Sequence, residues 1–568
     1  MKKKLYIFIF LILIIKTLTA QEALKSIEEE YYDFLSLTGL VERPTLGYRT
    51  LSDSVWALPE DTEHVWSNNN LGTTKSIWEP VSPAQNWFAK GLYQGFKYKI
   101  FGPEWFNSYN TAAPYGQNDG ALWQGRGYNT ALTAGLRLEG YGFEVTVRPQ
   151  VSWMENREFE YINPNYTGST FAGKADTYGY YGVRSIDAPQ RFGNSSFWNF
   201  DWGDTEFRFT WNTFTFGFGT QSIWLGPAKL NPIIHSNNAA SYPKFDIGFR
   251  KTKLTMPHFG WNLGYLEGRG WWGKLSESDW FDNDETNNDN LITGLALYYQ
   301  LPFFNEFTIG LNRTMLSKWD NISTYTTLFF IPGISSLTSG GDDASDQRFS
   351  LTFDYLNKIA GWEIYFEWAR NDFSPNLTYI LRYPFHTQSW TLGTSKSLNL
   401  PNGLKGEIQL EISNLECSAD YDRLIGWYST FYAHHKVTQG YTTKGQWLGA
   451  GIGTGGNSQY LGFKLFYPKG SVTLFGQRRN PDLDYTMYID SRKTASDFAK
   501  GIWTSERNIR AIINFGIDST FFVSNDFKLN GQFVFVDEHN PLNYTPTNNS
   551  IHRINYVFGL SIQYNIKQ

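Results

Sequence analysis

The sequence predicts an all-β protein, a transmembrane antiparallel up-and-down β-barrel. Aromatic residues make up 18% of the 568 residues while the mean hydropathy is only −0.41, a combination typical of barrels with one apolar face and aromatic girdles. From about Gly91 onward, apolar and polar residues alternate with the period of a β-strand. After the first twenty residues, no apolar run approaches the roughly 18 residues that a membrane helix needs.

Residues 1–20 are predicted to be a cleaved signal peptide. Three lysines precede an apolar run from Leu5 to Ile15, and Ala20 offers a small residue at the expected cleavage point. We therefore expect export and a final location in the outer membrane of a Gram-negative cell.

The charge and cysteine content exclude several other classes. Without the four lysines of residues 1–20, 45 basic and 54 acidic residues remain, which argues against a nucleic-acid partner because such proteins concentrate cations. Cys417 is the single cysteine of the sequence, so neither a disulfide framework nor a thiolate metal cluster is expected.

Residues 21–90 are predicted to form an N-terminal helical region. Apolar residues recur at helical spacing between Leu24 and Thr38, and Gly39 followed by Pro44 ends the pattern. This predicts a helix of about four turns. The stretch SDSVWALPE (52–60) predicts a second, short helical piece.

Residues 91–568 are predicted to form the barrel. The stretches EFRFTW (206–211), EIYFEW (363–368) and EIQLEI (407–412) each place apolar residues on one face and glutamates on the other. We expect the apolar face to contact lipid and the glutamates to face a wet lumen, where they cost little. At ten or eleven residues per strand, roughly 440 residues accommodate about sixteen to twenty strands.

The stretch GQWLGAGIGTGGNSQ (445–459) matches G-x-G-x-x-G, a dinucleotide-binding pattern. That pattern needs a helix after it, whereas two alternating strands follow here, so a dinucleotide site is not expected. His434 and His435 are adjacent and would point to opposite faces of a strand; no H-E-x-x-H or G-x-S-x-G stretch occurs. We therefore expect no cofactor, no metal site and no enzymatic activity.

Four segments combine polar, aromatic and glycine residues beyond what a barrel wall requires: 118–129, 220–243, 365–372 and 432–459. Flat aromatic faces suit sugar rings, and amides, carboxylates and guanidinium groups suit paired hydroxyls. Arg126 and Arg370 are favoured as contacts to an acidic glycan, although they could equally pair with Asp119 and Asp372. The alternative is that these groups brace the wall. The candidate polysaccharide-binding residues are Asp119, Trp123, Arg126, Gln221, Trp224, Asn237, Asn238, Glu367, Arg370, Asp372, His434, Gln439 and Tyr441.

The same segments resemble the Wzi family of outer-membrane capsule-assembly proteins, in a Bacteroidetes-like form. The resemblance rests on N-D-G-A with W, G, R and G (118–127), on W-x-G-P followed by S-N-N-A (224–239), and on H-x-V-T-Q-G-Y-T (435–442) with its G-x-G-I-G tail. It implies a barrel of about eighteen strands, closed at the periplasmic mouth by N-terminal helices, that acts as a lectin for capsular polysaccharide. The long acidic loops at 279–290 and 340–346 match no motif of the family.

The expected function is to bind surface or capsular polysaccharide and to assist its attachment or assembly. The expected partners are capsular or exopolysaccharide, outer-membrane lipid and the polysaccharide export machinery. A porin or gated glycan channel is the alternative that uses the same barrel, and an outer-membrane hydrolase is a second one. A stable N-terminal plug distinguishes the polysaccharide-binding protein from the channel, because a plugged barrel does not conduct steadily.

Overall fold

A computed structural model confirms the predicted fold class. Among the residues it describes, eighteen antiparallel strands form one closed barrel. The last strand pairs with the first from Val557 opposite Asn110 to Gln563 opposite Glu104, and this pairing closes the wall. The described residues are 17–21, 26–58, 62–69, 73–164, 177–181, 185–328, 345–371, 377–382, 385, 387–417, 431–486, 509–543 and 551–565.

We number the barrel strands β1 to β18 in chain order, and two of them, β3 and β4, are each interrupted once. Their bounds are β1 Phe96–Asn110, β2 Gly127–Gly140, β3 Phe143–Val147 with Gln150–Met154, β4 Phe197–Asp201 with Glu206–Trp211, β5 Phe214–Gly219, β6 Lys244–Thr255, β7 Asn262–Ser276, β8 Asp289–Gln300, β9 Phe307–Lys318, β10 Ser345–Asn357, β11 Trp362–Asn371, β12 Gln388–Asn399, β13 Lys405–Asn414, β14 Asn457–Tyr467, β15 Gly470–Asn480, β16 Ala511–Phe522, β17 Phe527–His539 and β18 His552–Tyr564.

The two ends of the barrel differ in the length of their connections. Short turns such as 141–142 and 468–469 lie at one end, and long connections such as 155–196 and 415–456 lie at the other. The N-terminal region contacts the short-turn end, where Trp66 Nε1 donates to the Tyr467 carbonyl at 3.0 Å. In outer-membrane barrels the short turns are periplasmic, so we call this the periplasmic end and the opposite one the outer end.

The predicted alternation of the wall is confirmed. Phe207 is 51% exposed on the outside, whereas the next residue, Arg208, is 1% exposed. At the end of the chain, Phe558 is 50% exposed and Val557 is fully buried. Aromatic and aliphatic side chains thus cover the outside of the wall, as a strand period of two requires.

The lumen differs from the expected wet interior. Glu363, Glu367 and Glu411 point inward, but each is at most 1% exposed. Protein segments fill this part of the lumen, and their backbone N–H groups bond to the wall. Glu411, for example, accepts from Lys229, Leu230 and Asn231 at 2.7–3.0 Å. A buried carboxylate is tolerated because such hydrogen bonds replace water.

The predicted N-terminal helix is confirmed as α1, Ile27–Leu37, and is one turn shorter than expected. Ser26 caps it by accepting from Glu29 N at 3.1 Å, so the helix begins at Ile27. The buried face of α1 packs on Trp66 of the N-terminal region and on the barrel: Tyr31 stacks on Trp66 with ring centres 4.0 Å apart, and Phe34 contacts Phe466 of β14.

The second predicted helix, after Ser52, is wrong. The structure has a turn there, in which Ser54 N donates to the Thr50 carbonyl, and then a strand, Val55–Trp56. The reason is tertiary: Asp53 is pulled into a wall ion-pair cluster by Arg250 and Arg269. The strand pairs with Thr17–Gln21.

The remaining elements are short. No described helix has the length and apolarity to cross a membrane. The short elements are the strands Tyr48–Arg49, Thr73–Trp78, Trp224–Leu225, Thr442–Thr443 and Gln446–Trp447, the α-helices Trp87–Lys90, Thr324–Leu328 and Leu377–Arg382, and the 3-10 helices Trp319–Asn321 and Pro401–Gly403.

Buried ion pairs fix the N-terminal plug, residues 26–58 and 62–69, inside the barrel. Arg43 NH1 lies 2.5 Å from Glu363 Oε1 and 3.2 Å from Asp354 Oδ2, and Asp53 Oδ1 lies 2.8 Å from Arg250 Nε. Glu28 also pairs with Lys528. Breaking one such buried pair leaves an uncompensated charge and costs about 3–5 kcal/mol, so the plug is held firmly.

Candidate functional site

The connection 220–243 runs from the outer end deep into the lumen. Its strand Trp224–Leu225 pairs with Tyr48–Arg49 of the plug. Further on, Lys229 pairs with Asp33 of α1, and its Nζ lies 3.1 Å from Glu363 Oε2. An outer connection therefore touches the periplasmic plug directly.

The segment 431–456 packs against this connection. Tyr432 donates its hydroxyl hydrogen to the Ile233 carbonyl at 2.6 Å, and Ser236 Oγ donates to the Gly449 carbonyl at 2.7 Å. The glycine-rich stretch permits this contact, because a Cβ on Gly449 would lie 2.1 Å from the Ile233 carbonyl oxygen. Strand β14 follows directly, which confirms the strand predicted after the G-x-G-x-x-G match.

The segment 111–126 is the third part of the assembly. Gly120 N donates to the Asn237 carbonyl at 2.8 Å, and Gln446 Nε2 donates to the Gly120 carbonyl at 2.9 Å. Asn118 N donates to Asn238 Oδ1 at 3.1 Å. Three of the four polar segments identified in the sequence thus meet inside the barrel near its outer end.

Most of the predicted binding residues form hydrogen bonds within these segments, to the plug or to the wall. Gln221 Oε1 accepts from Ser52 Oγ at 3.0 Å, Trp224 Nε1 donates to the Ala228 carbonyl at 2.9 Å, and Glu367 accepts from Ile233 N at 2.8 Å. Arg126 donates to the carbonyls of Thr111 and Glu158. The buried members of the predicted set are Gln221, Trp224, Glu367, Arg370, His434, Gln439 and Tyr441.

Four predicted residues line open space instead. Asp119, Trp123 and Asn238 line a cavity of about 300 Å³, and Asn237 lines a neighbouring one of about 210 Å³ with Asp119. Asp372 lies outside the described residues. Whether any of these residues contacts a glycan stays a prediction.

The cavity of about 300 Å³, which we call the outer cavity, opens among the long connections. It is bordered by the outer ends of β15 to β18, at Asn480, Ile512, Glu538 and Arg553. Its walls are rich in aromatic side chains. They are Tyr115, Trp123, Phe159, Tyr161, Tyr180, Tyr181 and Trp447.

Three arginines also line the outer cavity. Arg510 Nε and Arg553 Nε each lie 2.7 Å from one oxygen of Glu538, so two cations share a single carboxylate. Arg479 lies over the Tyr115 ring at 5.7 Å and forms no hydrogen bond or ion pair among the described residues. The strand register places Arg479, Glu538 and Arg553 in one row across the wall.

Sequence reasoning missed these arginines. The available signal was the alternation itself, since Arg479 follows Gln477 on the inward-facing register of β15. Their meeting depends on cross-strand register, which the sequence pattern did not fix.

Asp119 gives the outer cavity a group that titrates near neutral pH. Burial raises the pKa of the Asp119 carboxyl to about 7, and a hydrogen bond from Gln124 opposes part of that rise. Its segment separates the outer cavity from an inner chamber of about 490 Å³, which Asp119 also lines. The inner chamber is acidic: it is bordered by Glu28, Glu29, Glu30, Asp33, Glu104, Asp119, Glu407 and Asp518 against Arg49, Arg148, Lys229 and Lys464.

No family model matches the chain, and no curated protein does. Among solved structures, the chain is similar to Wzi of Escherichia coli, described as an outer-membrane protein involved in group 1 capsule assembly and a carbohydrate-binding β-barrel. The TM-score is 0.56 at 12% identity, over 97% of this chain and 100% of that one. This similarity supports the fold expected from the resemblance; membership of the Wzi family stays a prediction.

Porin-like barrels score lower. OccAB2 of Acinetobacter baumannii gives a TM-score of 0.37 at 10% identity, over 82% of this chain and 98% of that one. OprD of Pseudomonas aeruginosa gives 0.37 at 8% identity, over 84% and 95%. These two scores add nothing to the fold assignment.

Proposed function

We propose that the chain is a non-enzymatic outer-membrane barrel that binds an acidic surface polysaccharide in the outer cavity and assists its attachment or assembly. The observation that carries this proposal is the composition of that cavity. Three guanidinium groups line it: those of Arg510 and Arg553 share the carboxylate of Glu538, and that of Arg479 forms no hydrogen bond or ion pair among the described residues. The protein is acidic overall, yet three arginines line the outer cavity.

The chemistry of the cavity supports this choice of ligand. Guanidinium groups bind carboxylates through paired, charge-assisted hydrogen bonds. Aromatic faces such as those of Trp123 and Trp447 suit the C–H faces of sugar rings. The acidic inner chamber would repel an anionic chain, so the ligand is proposed to stay at the outer end.

The proposed location in the outer membrane follows from the barrel fold and from the predicted signal peptide. Residues 1–20 are proposed to be a cleaved signal peptide, the apolar outside of the wall to contact outer-membrane lipid, and the export machinery to deliver the polymer. Wzi, which shares the fold, is described as a carbohydrate-binding barrel involved in capsule assembly. A polymer that meets several molecules at once gains effective concentration, so a weak single site retains a long chain.

The binding experiment compares an acidic with a neutral polymer. Detergent-purified protein is titrated with alginate, a uronic-acid polymer, and with dextran. We expect alginate to bind more tightly and Arg479→Gln to weaken alginate binding by about tenfold or more, because one charge-assisted pair contributes about 1.5–3 kcal/mol.

Arg478→Gln is the matched control. Arg478 is the adjacent residue, points outward and bonds to Gln459 at 2.7 Å, so the same loss of charge leaves the cavity intact. Equal binding of alginate and dextran, or unchanged binding by Arg479→Gln, would contradict the proposal. Arg126→Ala and Arg370→Ala test the two cations favoured by the sequence, and host capsular polysaccharide replaces alginate in a second series.

A porin or gated glycan channel is the alternative function of such a barrel. The plug and the three inserted segments contact one another inside the described lumen, which favours a closed molecule. Planar bilayers with the full-length protein are expected to be silent, and a variant lacking residues 22–90 is expected to conduct. Steady conductance of the full-length protein would favour the channel.

An outer-membrane hydrolase is the second alternative. The purified protein is expected to release neither sugars from host glycan nor acyl chains from host lipid.

A further inference from the structure

Three potential metal ligands meet on the outside of the barrel wall at its outer end. They are Asp537 and His539 near the end of β17 and His552 at the start of β18. Each offers one ligand atom, and these atoms lie within 4.8 Å of one another. Glu538 between them points inward to Arg510, so the alternation of the strand turns the other two outward.

The backbone fixes this arrangement. His539 and His552 are direct cross-strand partners, and Asp537 lies two residues before His539 on the same face. On the other side, His539 faces Ala511, whose small side chain leaves the site open. The three ligands therefore sit on a rigid ladder and not on a loop.

Both imidazoles approach the same carboxylate. His539 Nε2 lies 3.2 Å from Asp537 Oδ2, and His552 Nδ1 lies 2.9 Å from Asp537 Oδ1. In a tetrahedral zinc site with bonds of about 2.0–2.1 Å, adjacent ligand atoms are ~3.3 Å apart. These two separations, each to a different oxygen of Asp537, differ from that value by a few tenths of an ångström, and the ligand nitrogens of the two imidazoles lie within 4.8 Å of each other.

The charge balance also suits a cation. No lysine or arginine pairs with Asp537 among the residues that the structure describes; its partners there are the two imidazoles. With both imidazoles neutral the group carries one negative charge. All three side chains keep some exposure, between 23% and 42%, so an ion has access from outside.

We propose that Asp537, His539 and His552 form a binding site for a first-row divalent metal of the Zn²⁺ type, with three protein ligands and one open position. Two imidazole nitrogens and one carboxylate oxygen are ligands that zinc takes in proteins. The open position faces outward, above the apolar belt to which Tyr556 and Phe558 belong. The site is separate from the outer cavity and does not rest on the proposed polysaccharide function.

The test is zinc binding by the full-length protein in detergent after treatment with a chelator. Equilibrium dialysis with metal analysis is expected to give one Zn²⁺ per chain at micromolar free zinc. His539→Ala and His552→Ala are each expected to weaken binding by tenfold or more. His258→Ala removes a histidine from a periplasmic turn and is expected to leave zinc binding unchanged.

Two outcomes would overturn the proposal. One is no zinc uptake at 100 micromolar free metal, and the other is equal uptake by His539→Ala, His552→Ala and wild type, which would locate the metal elsewhere. Substitution with Co²⁺ provides a second measurement. Wild type is expected to show the visible absorption of four-coordinate cobalt with nitrogen and oxygen ligands, and the variants are expected to lose it. These side chains lie on the outside of the wall, and the gel shift on boiling verifies that each variant is folded.

Discussion

Asp119 borders both the outer cavity and the inner chamber, and burial raises the pKa of its carboxyl to about 7. Because this pKa lies above its value in the unfolded chain, the folded protein binds the proton more tightly. Folding is therefore favoured as pH falls from about 7 toward 4, and the benefit is lost as pH rises through 7. Guanidinium groups keep their charge throughout this range.

The residue-scale prediction concerns binding between pH 6 and 8. Protonating Asp119 removes one negative charge from the cavity that the arginines line, so alginate affinity is expected to rise about fivefold from pH 8 to pH 6, the effect of a Coulomb interaction of about 1 kcal/mol. Titrations at pH 6, 7 and 8 measure it. Asp119→Asn is expected to bind tightly at all three values, and an identical pH dependence in both proteins would contradict the assignment.

Wall glutamates explain why sequence reasoning misjudged the lumen. Glu267 accepts from Leu46 and Gly47, Glu367 from Ile233, and Glu411 from three consecutive amides. Alternation correctly predicted that such glutamates face inward. It could not predict that the backbone of an inserted segment, and not water, would meet them, because those partners lie more than a hundred residues away.

At the scale of elements, the plug depends on carboxylates whose charge neighbouring cations stabilise. Burial alone would raise the pKa of Asp33, but Arg43 and Lys229 lower it; in the same way, Arg269 and Arg250 lower the pKa of Asp53 below its usual range. A lowered pKa contributes stability that is present above about pH 4 and is lost as pH falls below that value.

The plug is therefore expected to loosen in acid. Planar-bilayer recordings of the full-length protein are expected to be silent at pH 7 and to show openings at pH 3. Asp53→Asn is expected to show openings at pH 7 as well, because Arg250 and Arg269 lose their shared partner. Equal silence of the wild-type protein at both pH values, with conductance in the variant lacking residues 22–90, would show that these carboxylates do not hold the plug.

The elements also show how far the site was predictable. The polar segments 118–129, 220–243 and 432–459 were selected from composition alone, and the structure brings them together. Gln221, Trp224 and Tyr441 within or near them turn out to bond to plug or wall. Composition identifies segments whose side chains make many polar contacts. Because the same residue types brace a barrel and bind a ligand, composition could not show which role each residue has.

At the scale of the whole molecule, the barrel has an apolar outside and a hydrogen-bonded closed wall. Such a wall leaves no open sheet edge, so it is expected to resist detergent at room temperature. The protein is expected to migrate faster on a denaturing gel without boiling than with it, and to fractionate with outer membranes. Identical migration together with recovery in the soluble periplasm would contradict the proposed location.

The sequence by itself determined the strand period, the outward direction of Phe207 and Phe558, and the helix that became α1. These features follow from residues a few positions apart, because side chains alternate along a strand and repeat along a helix. Tertiary structure alone decided that Arg479, Glu538 and Arg553 share a row, that His539 meets His552, and that Lys229 reaches Asp33. Those contacts require the closed barrel and one exact register, which local periodicity does not specify.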